Sequence, residues 1–438
     1  MNSIALPSDQ RPFDEVFAHA TQIARVVAFH PASRQTPRLI HALTTSRRWH
    51  TLYYSMTADD LDVPSFMFSL IHTFADTQPG FVQQLSDTLR TANTVDGYAN
   101  GLIAALTHVN ERAVLLILDE CDLAEMDQTL RAVLEQVAES LPSHCTMLFN
   151  GRALPRLPWL AWLAEQRAVI LRDSEPIAHD FYGLAEGDRS DEAAGETGQV
   201  AVRGLGTGTI AIDGEPVTRW EGHLPRLILF FVLDRPAVTR AEICQTFWAE
   251  LNDEQAANVF YVTKRRLNKA LGALDQEVLI SRGHTYRVNP ALIIQYDVQQ
   301  FVEALVKARL TPAGTQAATW QQAIALYQQP FLSDYTDRWI VDRRRAYQLG
   351  YLEALTALAA IRLAEARPEQ ALVLLQRAVV DAPARQDVQR SLMEIYIMLD
   401  RRSDAARQYR RLRRSLAVTG EVPEAETERL YADLVAAS

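Results

Sequence analysis

The chain has 438 residues, 48% of them hydrophobic and 22% charged, a composition that fits about three folded cores of roughly 150 residues each. It holds no apolar run near the roughly 20 residues of a membrane helix and no basic-then-apolar leader. Its three cysteines, Cys121, Cys145 and Cys244, lack disulfide-framework or metal-ligand spacing, so a reduced, cytoplasmic, metal-free protein is expected. The net charge of −10 is local: residues 1–198 carry 14 Lys+Arg against 26 Asp+Glu, 199–297 carry 11 against 11, and 298–438 carry 19 against 17. Because salt screens exposed charges beyond about 10 Å, acidity in the first segment does not exclude polyanion binding further on.

In the first segment, 15–185, the run Val114-Leu115-Leu116-Ile117-Leu118 reads as a buried strand ending in two carboxylates, Asp119 and Glu120. A second apolar strand, Thr146 to Phe149, ends at Asn150-Gly151-Arg152. In phosphate-loop NTPases such a strand end sets one acid near magnesium and another near the attacking water. The order of Arg25 to Phe29, helix, Asp119-Glu120 and Asn150-Gly151-Arg152 resembles the core of STAND-type regulatory NTPases related to the maltose regulator. The resemblance implies an α/β domain with a vestigial nucleotide site at Arg34, Thr36, Asp119, Glu120 and Arg152. The phosphate loop itself is degenerate. Where GxxxxGK[ST] is required, the chain reads His30-Pro31-Ala32-Ser33-Arg34-Gln35-Thr36-Pro37-Arg38, with no glycine and with Thr36 at the lysine position. Pro37 also removes a backbone donor where a helix start would bind anion. No hydrolysis and no cofactor are expected of this domain. Residues 186–198 are polar, acidic and glycine-bearing without periodicity, and read as a linker.

The segment 199–297 opens with Val200, Val202 and Leu205, then Ile210 and Ile212, with Asp213-Gly214 suited to a tight hairpin turn. A small antiparallel sheet is predicted. An apolar helix over Leu224 to Leu233 stops before Pro236, and Thr239-Arg240-Ala241-Glu242 is a capping box that starts a second helix through Trp248. A third helix runs from Asn252 or Asp253 to Leu271. At 100° per residue, Ala256, Phe260, Thr263, Leu267 and Leu271 face inward. Asn258, Tyr261, Val262, Arg265 and Lys269 lie opposite, with Lys264, Arg266 and Asn268 on the flanks. Four cations and no acid between Gln255 and Leu271 give the exposed face one sign. A glycine hairpin, Ile280 to Val288, follows with Arg282, His284 and Arg287 near its turn. A basic helix beside a basic wing suits the major groove and a neighbouring phosphate backbone.

This order of sheet, three helices and hairpin resembles the winged helix-turn-helix of response-regulator transcription factors. In particular it is similar to the version in the Streptomyces antibiotic regulatory protein family. It departs at Asn268, where arginine is usual, and at Thr285, where glycine is usual before the wing tyrosine. The resemblance implies double-stranded DNA as partner, contacted by Asn258, Tyr261, Lys264, Arg265, Arg266, Lys269, Arg282, His284 and Arg287.

Residues 298–438 turn almost wholly helical. Ala366-Arg367-Pro368-Glu369-Gln370-Ala371-Leu372 and Asp400-Arg401-Arg402-Ser403-Asp404-Ala405-Ala406 repeat a turn followed by a small residue. Ala371 and Ala405 stand 34 positions apart, the tetratricopeptide period. The run Ala323 to Leu332, with Asp334-Tyr335 and Asp337-Arg338-Trp339, resembles the start of a bacterial transcriptional activator domain, which in the antibiotic regulatory family directly follows the winged helix. That implies partners in the transcription machinery, such as RNA polymerase, or a second copy of the chain, and a protein partner for the helical repeats. Seven arginines between Arg401 and Arg414 read either as a solvated, salt-bridged face or as a surface for phosphate or an acidic partner, the N-terminal segment included.

The expected whole is a multidomain α/β plus α protein: a degenerate NTPase-like domain, a winged helix-turn-helix and a tetratricopeptide-like all-helical domain. Its expected role is sequence-specific transcriptional regulation, activating in sense, by binding rather than catalysis. Two alternatives stay open: a nucleotide-switched ATPase using Asp119 and Glu120, and a protein scaffold whose winged helix no longer reads DNA.

Overall fold

A computed structural model describes residues 4–5, 13–31, 33, 36–109, 113–172, 181–182, 199–274, 276–312 and 314–436. The segment predicted as a linker, 186–198, lies outside them, as does Arg34. The chain forms two compact units, 1–299 and 300–438, with the α/β and winged-helix segments together in the first.

The first unit contains a six-stranded sheet of β1 (Ile4–Ala5), β2 (Val26–Phe29), β3 (His50–Ser55), β4 (Val114–Asp119), β5 (Cys145–Phe149) and β6 (Ala168–Arg172), in the order β1-β6-β2-β5-β4-β3. Every pairing is parallel. Its first strand lies upstream of residue 15, where the sequence reading starts this domain. Every residue of β2, β4, β5 and β6 is buried, as expected where helices cover both faces of a parallel sheet. The helices are α1 (Phe13–Ile23), α2 (Thr36–Thr45), α3 (Val63–Phe74), α4 (Pro79–Thr91), α5 (Val95–Thr107), α6 (Gln128–Glu139) and α7 (Trp159–Ala164). Phe17, Val27, Phe29, Leu39, Leu115, Ile117, Leu148 and Leu171 share one core cluster. Asp127 caps α6 by accepting from Leu130 N at 2.7 Å, which fixes the register of Arg131 on that helix.

A second sheet holds β7 (Gln199–Arg203), β8 (Thr209–Ile212) and β9 (Glu215–Pro216), joined by β13 (Ile293–Tyr296). The expectation of a purely antiparallel sheet is corrected here. β13 returns from beyond the wing and pairs parallel with β7, Ile293 opposite Gln199. Asp213 (φ 51°) and Gly214 (φ 86°) take the left-handed turn that the Asp-Gly pair tolerates. Helices α8 (Leu224–Leu233), α9 (Arg240–Phe247) and α10 (Asp253–Ala270) follow, with β10 (Val238–Thr239) between the first two. The wing is β11 (Leu279–Arg282) and β12 (Thr285–Val288), and β12 also pairs with β10. Asp297, directly after β13, accepts from Gly204 N at 2.7 Å and Leu205 N at 3.0 Å, tying the β7 end to the last strand.

The second unit is helical: α11 (Asp297–Leu310, entering from the first unit), α12 (Ala317–Leu326), α13 (Arg338–Ala364), α14 (Pro368–Asp381), α15 (Gln386–Met398), α16 (Arg402–Thr419) and α17 (Ala425–Ala436). Tyr327 stacks on Tyr351 with ring centroids 4.3 Å apart. Arg344 donates to the carbonyls of Phe331, Leu332 and Tyr335, holding the turn before α13. The 34-residue repeat is visible in the backbone. Ala366 (φ 58°) and Asp400 (φ 57°) both adopt the left-handed conformation, and Arg367 N and Arg401 N donate to Arg362 O at 2.9 Å and Tyr396 O at 2.7 Å. Ala371 and Ala405, one turn further on, are both fully buried. Among the described residues no helix is long and apolar enough to cross a membrane.

Candidate nucleic-acid interface

The capping box that the sequence places at 239–242 forms in full. Thr239 Oγ1 accepts from Glu242 N at 3.2 Å, and Glu242 Oε2 accepts from Thr239 N at 2.6 Å. Asn252 caps α10, accepting from Gln255 N at 2.9 Å. Once α10 starts there, its phase is set by apolar spacing. Ala256, Phe260, Thr263 and Leu267 are buried, and Phe260 meets Tyr286 of the wing edge-on at 4.9 Å. Helix and wing are therefore locked through one aromatic pair, a contact worth about 0.5–1.5 kcal/mol beyond its area.

The outer face carries the candidate contacts. Asn258, Tyr261, Arg265, Arg266 and Lys269 are exposed, as are Arg282 and His284 on the wing, whereas Lys264 and Arg287 are partly covered. The expectation of a face of one sign is corrected by acids from outside the helix. Glu221, ahead of α8, meets Lys269 at 2.5 Å and Arg266 at 3.4 Å, and Glu277 meets Lys264 at 3.2 Å. Lys269 holds the Glu221 carboxyl below its usual range by its hydrogen bond and charge, with Arg266 adding to this. Exposed pairs of this kind are weak and screened by salt, so a phosphate can displace the acid. Lys264 also lies 5.7 Å from the Tyr286 ring centroid. Arg240 was missed by sequence reasoning: it donates to Tyr261 Oη at 3.0 Å and lowers the phenol's pKa. It sits on α9, whose periodicity says nothing about a partner 21 residues away.

The strand-end residues of the α/β segment gather as the parallel register requires, with Ser55 opposite Asp119 and Leu118 opposite Phe149. Asp119 Oδ2 accepts from Tyr53 Oη at 2.8 Å, and Oδ1 accepts from Asn150 Nδ2 at 2.5 Å and Glu120 N at 2.8 Å. Burial, then the bond to Asp119, push the Tyr53 phenol up to about 12. Glu120 takes a left-handed φ of 53° and accepts from Ser55 Oγ. Thr36 opens α2, its hydroxyl donating to Ser33 O at 3.3 Å, and Arg152 is exposed, its backbone N donating to Asp122 at 2.8 Å.

At the start of α16, Arg401 and Arg407 pair with Asp404, and Arg402 pairs with Asp400. Arg410, Arg411, Arg413 and Arg414 are exposed. The helix thus combines a salt-bridged first turn with a solvated arginine stretch.

Residues 296–435 match the family described as the bacterial transcriptional activator domain. Among solved structures, Mycobacterium tuberculosis EmbR in complex with a low affinity phosphopeptide is 22% identical, with a TM-score of 0.46, over 55% of this chain and 66% of that one. A Signal Transduction ATPase with Numerous Domains protein with a tetratricopeptide repeat sensor, from Pyrococcus horikoshii, is 13% identical with a TM-score of 0.29, over 99% of this chain and 68% of that one. No curated protein matches the chain.

Proposed function

We propose that the chain is a DNA-binding transcriptional regulator, organised as an α/β segment over about 15–185, a winged helix over 199–297 and an activator segment over 298–438. Helix α10 enters the major groove, the wing holds backbone phosphate, and the helical repeats engage transcription machinery or another protein. One observation carries the reading: a capped helix with an exposed cationic face is locked through Phe260 and Tyr286 to a two-stranded wing, immediately ahead of a segment that matches an activator family. Base readout falls to exposed side chains of α10, Asn258, Tyr261 and Arg265 foremost, while Arg282 and His284 meet phosphate.

Selection of fragments from a random duplex pool, followed by a salt titration on the selected site, tests this. Arg265→Ala and Lys269→Ala are each expected to weaken binding by about 1–3 kcal/mol where the contact is to a base. Equal affinity of wild type and the double variant at every salt concentration would sink the reading.

The α/β segment serves interaction rather than hydrolysis in this reading. Its strand-end acid is engaged by Tyr53, Asn150 and main chain, and the stretch His30 to Arg38 has neither glycine nor lysine to hold β- and γ-phosphates. No magnesium-dependent phosphate release from ATP is expected. Release that Glu120→Gln abolishes would restore the nucleotide-switch alternative.

A further inference from the structure

Glu242 has two sets of partners. Its own helix start supplies Thr239 N and Thr239 Oγ1, at 2.6 and 2.7 Å from Oε2. The α/β segment supplies Arg131 of α6, which donates to Oε1, and Arg156, which donates to Oε2 at 3.2 Å. The Arg131 and Glu242 side chains are only 6% and 5% exposed. Both arginines are anchored on their own side, Arg131 Nε to Asp127 O at 3.2 Å and Arg156 Nη2 to Met126 O at 2.8 Å. Tyr182 Oη adds a bond to Leu233 O at 3.2 Å, at the end of α8. Charges so fully withdrawn from water are held only where partners are fixed, which marks a specific dock rather than a loose surface contact.

Beside this dock lies a cleft of about 1120 Å³. Asp122, Glu125 and Asp127, with the docking Arg131 and Arg156, stand on its α/β side. Arg240, Tyr261 and His284, with Glu242 and Asp253, stand on its winged-helix side. Two of the candidate DNA contacts, Tyr261 and His284, are exposed and border the same cleft as these acids.

We infer that the α/β segment is a built-in electrostatic competitor of DNA: docked on Glu242 through Arg131 and Arg156, it holds Asp122, Glu125 and Asp127 at the cleft that Tyr261 and His284 border, where they oppose phosphate until the dock opens. The inference rests on the DNA-binding reading above. The acids act by repelling phosphate within a screening length of about 10 Å.

The test uses the full chain with a random-sequence duplex pool, read by fluorescence anisotropy, with hydrogen exchange over 239–247 and 281–286. Arg131→Ala/Arg156→Ala leaves Glu242 with Thr239 and with Arg235, 3.7 Å away, and should open the dock, raising exchange in both stretches. Duplex binding should tighten by about 5- to 150-fold, the usual span of intramolecular coupling. Glu125→Lys, at an exposed position, keeps the dock and should also tighten binding by removing repulsion. Exchange that stays at the wild-type level in the double variant, or affinity unchanged in either variant, overturns the inference. Absence of duplex binding by wild type and both variants, with exchange raised in the double variant, would instead refute the DNA-binding reading, and the inference with it.

Discussion

Glu242→Leu is expected to destabilise the 1–299 unit by about 3–5 kcal/mol, because it strands the Arg131 guanidinium in a site that is nearly closed to water. The helix also loses the reciprocal half of its capping box. Pairing the change with Arg131→Met should recover only part of the loss, because Arg156 and Arg235, at 3.2 and 3.7 Å from the carboxylate, still lose their acid. Urea unfolding of the single and double variants measures both. A loss below about 1 kcal/mol in the single variant would place Glu242 among ordinary surface pairs. The pH dependence has a fixed sign. Burial would raise the Glu242 carboxyl, but Arg131, Arg156 and the Thr239 bonds outweigh it and the pKa falls. The stabilisation is therefore complete above the ordinary glutamate value of about 4.3 and is lost as pH drops through the lowered one.

Asp297 should behave in the opposite sense. Burial raises its carboxyl from 3.8 to about 6, against the opposing pull of the backbone donors of Gly204, Leu205 and Val298. Below about pH 4 the group is protonated whether the chain is folded or not, and it imposes no penalty. Between about pH 4 and 6 the unfolded chain ionises while the folded one holds its proton, so stability falls as pH rises. Above about pH 6 the loss levels off at about 3 kcal/mol, from about 1.4 kcal/mol per unit. Unfolding free energies of wild type and Asp297→Asn measured from pH 4 to 7 should diverge across that window, with the asparagine variant lacking this component. Parallel profiles would refute the raised pKa.

Local rules explain what the sequence discloses. The inward set of α10 follows from spacing alone, and the 239–242 cap from residue types three apart; both interactions reach no further than one helical turn. The strand-end acids were legible because a short, β-branched and leucine-rich apolar run closed by two carboxylates suits a strand of a sheet covered on both sides. What escaped was long-range pairing of charge. Arg131 lies 111 residues and Arg156 86 residues before Glu242, and a glutamate that completes a capping box gives no sign of a second duty. Glu221 likewise compensates the basic helix from 48 residues upstream of Lys269. The parallel return of β13 was hidden because Ile293-Ile294 has no nearby turn partner to set its register.

The 34-residue return of the same left-handed turn at Ala366 and Asp400, with the same backbone bond behind it, has a mechanical side. From α13 to α17 each helix packs on its neighbour in sequence, and in such arrays stability is a sum of nearest-neighbour terms. The array can therefore fray from the α17 end while the α13–α14 pair stays closed. Injury at one end remains local, and a partner that clamps the last helices would stiffen the stack inward one repeat at a time.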